Sequence, residues 1–260
     1  MQFLPLLVRI FSQFYKNLHG IFRNHFRLAD VFLWPLIYLF TLSFFISYAK
    51  MDSIYINIIV LGMIGWRAIY FMSAELVSSY MEDDWSKSLA LLHISPISRF
   101  EFALGSSRSG LFKTIIVIII YFLVSSNLYS FGIARFDLFL IGLFFLIVCG
   151  FSLGLLVLGL TYENRESSFS LSFLIPDIVA LISGVYFSIS DVFPPAVSSL
   201  LNYLPTVHAF NAIKSASGLD FAFDLPYLFF SSILFVIICE RINLLFYLRA
   251  KKSGKLGRFG

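Results

Sequence analysis

Charge is what this sequence has least of. Only 13% of its 260 residues are Asp, Glu, Lys or Arg, where soluble domains carry about 25%. With 59% hydrophobic residues, a soluble core of this length cannot hide the apolar surface. The shortage is also uneven. Long uncharged stretches alternate with segments where charges crowd, the pattern of a chain whose helices each need about 20 apolar residues to cross a bilayer. Cysteine is limited to Cys149 and Cys239. Both lie inside apolar runs without metal-ligand spacing, so they read as small buried hydrophobes. No apolar leader with a small-residue cleavage site is visible. Arg9 and Lys16 interrupt the first residues, and no cleavable signal peptide is expected. A phosphate-cradling loop is missing too. In Gly105-Ser-Ser-Arg-Ser-Gly110-Leu-Phe-Lys113-Thr114, Leu111 and Phe112 stand where lysine and a hydroxyl residue must follow the glycine. There is no internal repeat and no low-complexity tract.

What is present is an all-α, polytopic membrane pattern in a single domain over residues 1–260. Residues 1–28 form an N-terminal interfacial segment. Within it Leu6, Leu7, Ile10, Phe11, Phe14, Leu18, Ile21 and Phe22 recur at spacings of three and four, with Gln13, Lys16 and Asn17 between them, and Pro5 suits a first helical turn. That periodicity predicts an amphipathic helix on the membrane surface. Six spans follow, at about 30–49, 54–78, 111–131, 137–162, 169–190 and 225–248. Spans one to five occupy residues 30–190, external helices 191–224, and a basic tail 249–260. With the N-terminus in the cytosol, fourteen lysines and arginines flank the spans on the inner side and three (Lys50, Arg135, Lys214) on the outer side. This positive-inside bias predicts a multi-pass plasma or inner membrane protein with both termini cytosolic. The net charge of +4 is explained by topology, and no nucleic-acid partner is expected. The tail cluster from Arg249 to Arg258 reads as an anchor to anionic lipid.

Two segments between spans are too structured to be linkers. In the inner one, 79–110, Ser95-Pro96 should end one helix, and Ser98 with Glu101 makes a capping box for the next. It is either a docking surface or a solvated loop. In the outer one, Val197–Tyr203 and Val207–Ser217 read as short helices, with Thr206 as an N-cap. The stretch is apolar enough to pack back onto the bundle. Inside the spans, Arg67, Glu75 and Asp177 are costly charges. Arg67 and Asp177 either pair between helices or line a polar part of a pathway. Glu240 and Arg241 are expected to snorkel or pair locally. Gly150, Gly154 and Gly159 offer a small-residue face for packing within the chain or for dimerisation.

At this level the chain resembles the permeases of type-2 ABC exporters, the ABC-2 family. The resemblance rests on Phe32-Leu-Trp-Pro35-Leu-Ile-Tyr-Leu, on Gly62, and on Glu82 followed by Leu91-Leu92 and Ser95-Pro96-Ile-Ser98. It continues in Ser183-Gly184-Val-Tyr-Phe187, Phe193-Pro194 and Leu204-Pro205-Thr206-Val-His208-Ala209. Lys214 stands near where many members carry arginine, and Arg67 matches no family residue. The resemblance implies a coupling helix contacted by the ATPase through Glu82, Trp85, Leu91, Leu92, Ser95 and Pro96. It also implies an external gate region at Gly184, Phe187, Pro194, Pro205 and His208. The partners would be two cytosolic ATPase subunits, which hold the ATP and Mg²⁺, and a second permease, most simply an identical one. This chain would bind no cofactor and catalyse no reaction itself. The cargo would be amphipathic: a drug-like molecule, a lipid or a lipid-linked glycan.

Two other readings compete. A lipid-modifying enzyme would hold Mg²⁺ at Glu82-Asp83-Asp84, with no second acidic cluster on that side beyond Glu163 and Glu166. A secondary carrier would be expected to show repeats and paired broken helices.

Overall fold

The computed structural model describes residues 3–50, 52–129 and 131–257, and among these the chain is entirely helical, without strands. An amphipathic helix α1 (Phe3–Arg23) leads almost directly into α2 (His25–Tyr48). The break falls at Asn24, whose side-chain oxygen accepts the N–H of Phe26 at 2.9 Å, satisfying an orphan donor of the new helix. Then come α3 (Ser53–Trp85), the short α4 (Leu89–Ile94), α5 (Arg99–Tyr129), α6 (Phe136–Glu163) and α7 (Arg165–Ile182). Three short helices, α8 (Ile189–Val192), α9 (Pro195–Leu201) and α10 (Pro205–Ser215), precede α11 (Leu225–Lys252), and a 3₁₀ turn follows at Lys255–Gly257. Residues 258–260 of the predicted basic tail, Arg258 among them, lie outside the described residues, as do Met1 and Gln2 of the predicted interfacial segment.

Helices α2, α3, α5, α6 and α11 are each long and apolar enough to cross a membrane, the make-up of a multi-pass membrane protein. Their outward faces are apolar: Phe229, Phe230, Ile233, Leu234, Ile237 and Ile238 of α11 are all exposed. Water would not tolerate such a continuous surface, whereas lipid or a second subunit would.

The centre of the bundle is α3 packed on α6, with α11 and α10 covering α6. Glycine permits the closest of these approaches. A Cβ at Gly150 would lie 2.8 Å from Ile69 Cα, and one at Gly159 would lie 2.9 Å from Asn243 Cα. The small-residue face of α6 therefore serves packing inside the chain. Cys149 and Cys239 are free and buried in the same core.

Several boundaries differ from the sequence-based expectation, each for a physical reason. The predicted inner segment 79–110 is mostly helix. α3 runs on to Trp85 and α5 starts at Arg99, because charges that would end an apolar run are neutralised by partners on neighbouring helices. The capping box is present as expected. The Ser98 N–H reaches Glu101 at 2.7 Å, and the Glu101 N–H reaches the Ser98 hydroxyl at 3.2 Å. Gly105 to Thr114 lies wholly within α5 and forms no loop. The predicted span 169–190 is the helix 165–182, which stops before Gly184 turns the chain with φ +66°. Thr206 does not cap α10. Pro205 opens that helix after Leu204, and the Thr206 hydroxyl instead meets Ser183 at 2.6 Å.

The inward face of α1 is not the predicted apolar one alone. Ile10 and Ile21 are buried together with Gln13 and Asn17. Gln13 donates to Ser79 at 2.9 Å and to Ser106 at 3.2 Å, and Ser79 donates to Asn17 at 2.9 Å. This network seats α1 on α3 and α5, while Leu7, Phe11 and Phe22 stay exposed.

Candidate functional site

One end of the bundle concentrates its charge around the C-terminal turns of α3. Consecutive residues on a helix point about 100° apart, so Glu82, Asp83 and Asp84 face three different neighbours. Glu82 pairs with Arg27 of α2, and Arg27 also reaches Glu75 two turns earlier. Asp83 takes Lys16 of α1 at 2.6 Å, and Asp84 takes Arg165 of α7 at 2.6 Å. Glu75 is further paired with Lys113 of α5 at 2.7 Å. The tip of α3 is thus tied to α1, α2, α5 and α7.

This divergence argues against a shared Mg²⁺ at Glu82-Asp83-Asp84. Among the described residues no group of three or more His, Cys, Asp or Glu side chains has metal-binding geometry.

Helix α4 lies across this end. Leu89 is buried and holds it down, while Leu91 is 65% exposed and Ile94 80% exposed. Between α4 and α1 is a cavity of about 400 Å³, lined by Leu91, Leu92, Ser95 and Pro96 on one side and Arg9, Gln13 and Lys16 on the other. Arg9 closes its edge, donating to the Pro96 carbonyl at 3.2 Å and pairing with Glu101 at 2.8 Å. Burial, with Arg165 nearby, holds the His93 imidazole below its ordinary pKa.

Of the residues expected to couple, Leu91, Leu92, Ser95 and Pro96 come together here. Glu82 does not join them, because it is turned toward α2. Trp85 projects on the opposite flank, exposed and edge-on to Phe169 of α7.

Deeper in the bundle, of the two readings of Arg67 and Asp177, the interhelical pair does not form. Arg67 is buried, 4.0 Å from Asp30 of α2, and its guanidinium lies 4.5 Å from the Trp66 ring centroid and 5.1 Å from that of Tyr38. Asp177 instead accepts the Trp66 indole N–H at 3.0 Å. Glu75, the third intramembrane charge, belongs to the ion-pair cluster at the charged end. Glu240 also departs from expectation. Its partner is Arg99 of α5, far away in sequence, while Arg241 is exposed.

At the opposite end, the residues expected at the external gate are organised by a side chain that was not among them. Lys214 is fully buried in α10, and its ammonium donates to the carbonyls of Gly184 at 2.6 Å and Phe187 at 2.7 Å. Burial lowers its pKa to about 8, with Asp191 acting in the opposite direction. The signal was a lone lysine within the apolar run 207–217, since lysine is almost never fully buried without a partner. Pro194 precedes α9 and Pro205 opens α10. His208 accepts the Asp224 N–H at Nδ1 (3.2 Å), which makes Nε2 the protonated nitrogen that donates to the Asn202 carbonyl at 2.9 Å.

Compared with protein-family models and with curated proteins, the sequence matches none.

Proposed function

We propose that the chain is the membrane-spanning subunit of an ATP-driven exporter, powered by a separate ATPase that docks on α4. The observation that carries this reading is the pairing of an exposed apolar helix with a rigid mount. Leu91 and Ile94 stand out from α4, while the adjoining tip of α3 is ion-paired to four other helices. A partner that presses on α4 would move that end as a unit. The resemblance to ABC-2 permeases points the same way.

The reading takes α7 as a sixth crossing. Its start lies at the charged end, beside Asp84. The turn after it packs on Gly62 of α3, toward the other end. There the Ala134 N–H bonds the Ala216 carbonyl at 2.9 Å, and Arg135 meets Asp220 at 3.6 Å. At 18 residues, α7 rises about 27 Å, close to the roughly 30 Å of hydrocarbon. The positive-inside bias sets the charged end in the cytosol, with both termini there and α8–α10 outside. An amphipathic cargo would move where two such chains meet.

Co-purification tests the proposal. A tagged chain expressed in its native cell should bring down a cytosolic ATPase, and Leu91→Asp with Ile94→Asp should release it. A chain that moves cargo with no nucleotide-hydrolysing partner would refute the assignment.

A further inference from the structure

A cleft of about 300 Å³ opens on the side of the bundle, between α2 and α7 over α3. Its walls are Tyr38, Trp66, Leu181, Tyr186 and Phe187, and its one acidic wall residue is Asp177. The position of that carboxylate is unusual. It is exposed in the last third of α7, among the exposed apolar side chains Leu174, Ile178 and Leu181. Its one hydrogen bond is to the Trp66 indole, and among the described residues it makes no ion pair. The nearest cation, Arg67, is buried and faces Asp30. Those two charges balance, so the site carries one negative charge in excess. A carboxyl group on an apolar, membrane-facing surface is neutralised either by a proton or by a counter-cation. Arg67 already lies over the Trp66 and Tyr38 rings, which leaves Tyr186 and Phe187 as the aromatic walls for a cation with a soft, weakly hydrated head.

We infer that this cleft binds an amphiphilic cation, with an ammonium head against Asp177 and the aromatic rings and an apolar tail along Leu181. The site deepens the transport reading by naming a cargo class, but binding itself rests only on the geometry of the cleft.

The test uses the full chain in dodecyl maltoside with Trp34→Phe and Trp85→Phe, which leaves Trp66 as the single indole reporter. Dodecyltrimethylammonium should shift Trp66 emission saturably. Dodecanoate, with the same chain length and the opposite charge, should bind at least about tenfold more weakly. Asp177→Asn should weaken cation binding about tenfold, and Asp177→Glu should retain it. Should Asp177→Asn fail to fold, judged by size-exclusion elution, the cation–anion comparison on the unaltered cleft decides.

Equal binding of the two probes overturns the inference, as does a preference for dodecanoate, which would move the site to Arg67. No response from a chain eluting as a dimer also overturns it and assigns the cleft to a second copy. No ATPase is present in the assay, so its failure leaves the coupling proposal standing, and failure of that proposal leaves the binding result standing.

Discussion

The Lys113 ammonium lies 2.7 Å from the Glu75 carboxylate, in a place where the acid's side chain is 1% exposed. Arg27 approaches the same carboxylate from α2 but has Glu82 as a second partner, so Lys113 is the cation that leans on Glu75. Removing one partner of a buried pair strands the other, at a cost of about 3–5 kcal/mol. Glu75→Gln should therefore lower the unfolding midpoint in detergent sharply. Adding Lys113→Met should recover part of the loss. No recovery in the double variant would mean that Lys113 is satisfied elsewhere.

A second prediction concerns backbone contact. A Cβ at Gly62 would sit 2.3 Å from the Val185 carbonyl oxygen, whereas one at Gly132 would meet nothing within 4 Å. Gly62→Ala should destabilise by about 1–3 kcal/mol, the range for overpacking, and Gly132→Ala should be close to neutral. Matching unfolding midpoints for the two would show that α3 and the turn after α7 are not in contact.

Lys214 makes stability depend on pH. Its folded pKa is about 8 against an ordinary 10.5, so between these values the unfolded chain binds the proton that the folded chain has lost. Stability then rises with pH across that window and gains nothing from this residue below it. Unfolding midpoints measured from pH 7.5 to 10 should show a rise that Lys214→Met removes. The same slope in the variant would assign it to another group.

Accessibility of engineered cysteines tests the crossings. With Cys149 and Cys239 buried, Lys87→Cys and Ser253→Cys should react with an impermeant maleimide only from the cytosolic side, and Asp220→Cys only from outside. If α7 does not cross, Asp220→Cys will label from the same side as Lys87→Cys.

The seating of α1 gives a last expectation. Gln13 is buried and bonds Ser79 and Ser106. Gln13→Ala removes the donor to the buried Ser106 hydroxyl, while Ser79 keeps Asn17, a penalty of about 1–3 kcal/mol. Proteolysis near Asn24 should accelerate in the variant. Unchanged cleavage would show that α1 is held by lipid alone.

Local rules carried the sequence reading a long way. Charge spacing marked six apolar spans, five of which are helices long and apolar enough to cross a membrane, the Ser98–Glu101 box fixed the start of α5, and Ser95-Pro96 the end of α4. What escaped it depends on partners far apart in the chain. Nothing near Asp84 announces Arg165, so α3 was expected to stop with its apolar run. Arg67 and Asp177 looked like natural partners until Asp30 and the Trp66 indole took them separately. Lys214 was counted as an outer loop charge because sequence alone does not reveal that two carbonyls of a distant turn converge on it.

Helix α3 has 33 residues and so measures about 50 Å, while the hydrocarbon layer is about 30 Å thick. Some 20 Å of unbroken rod is left to emerge from the bilayer, rooted among the aromatic side chains at its midpoint. A sideways nudge delivered at that protruding tip would be transmitted to mid-membrane depth with no hinge to absorb it.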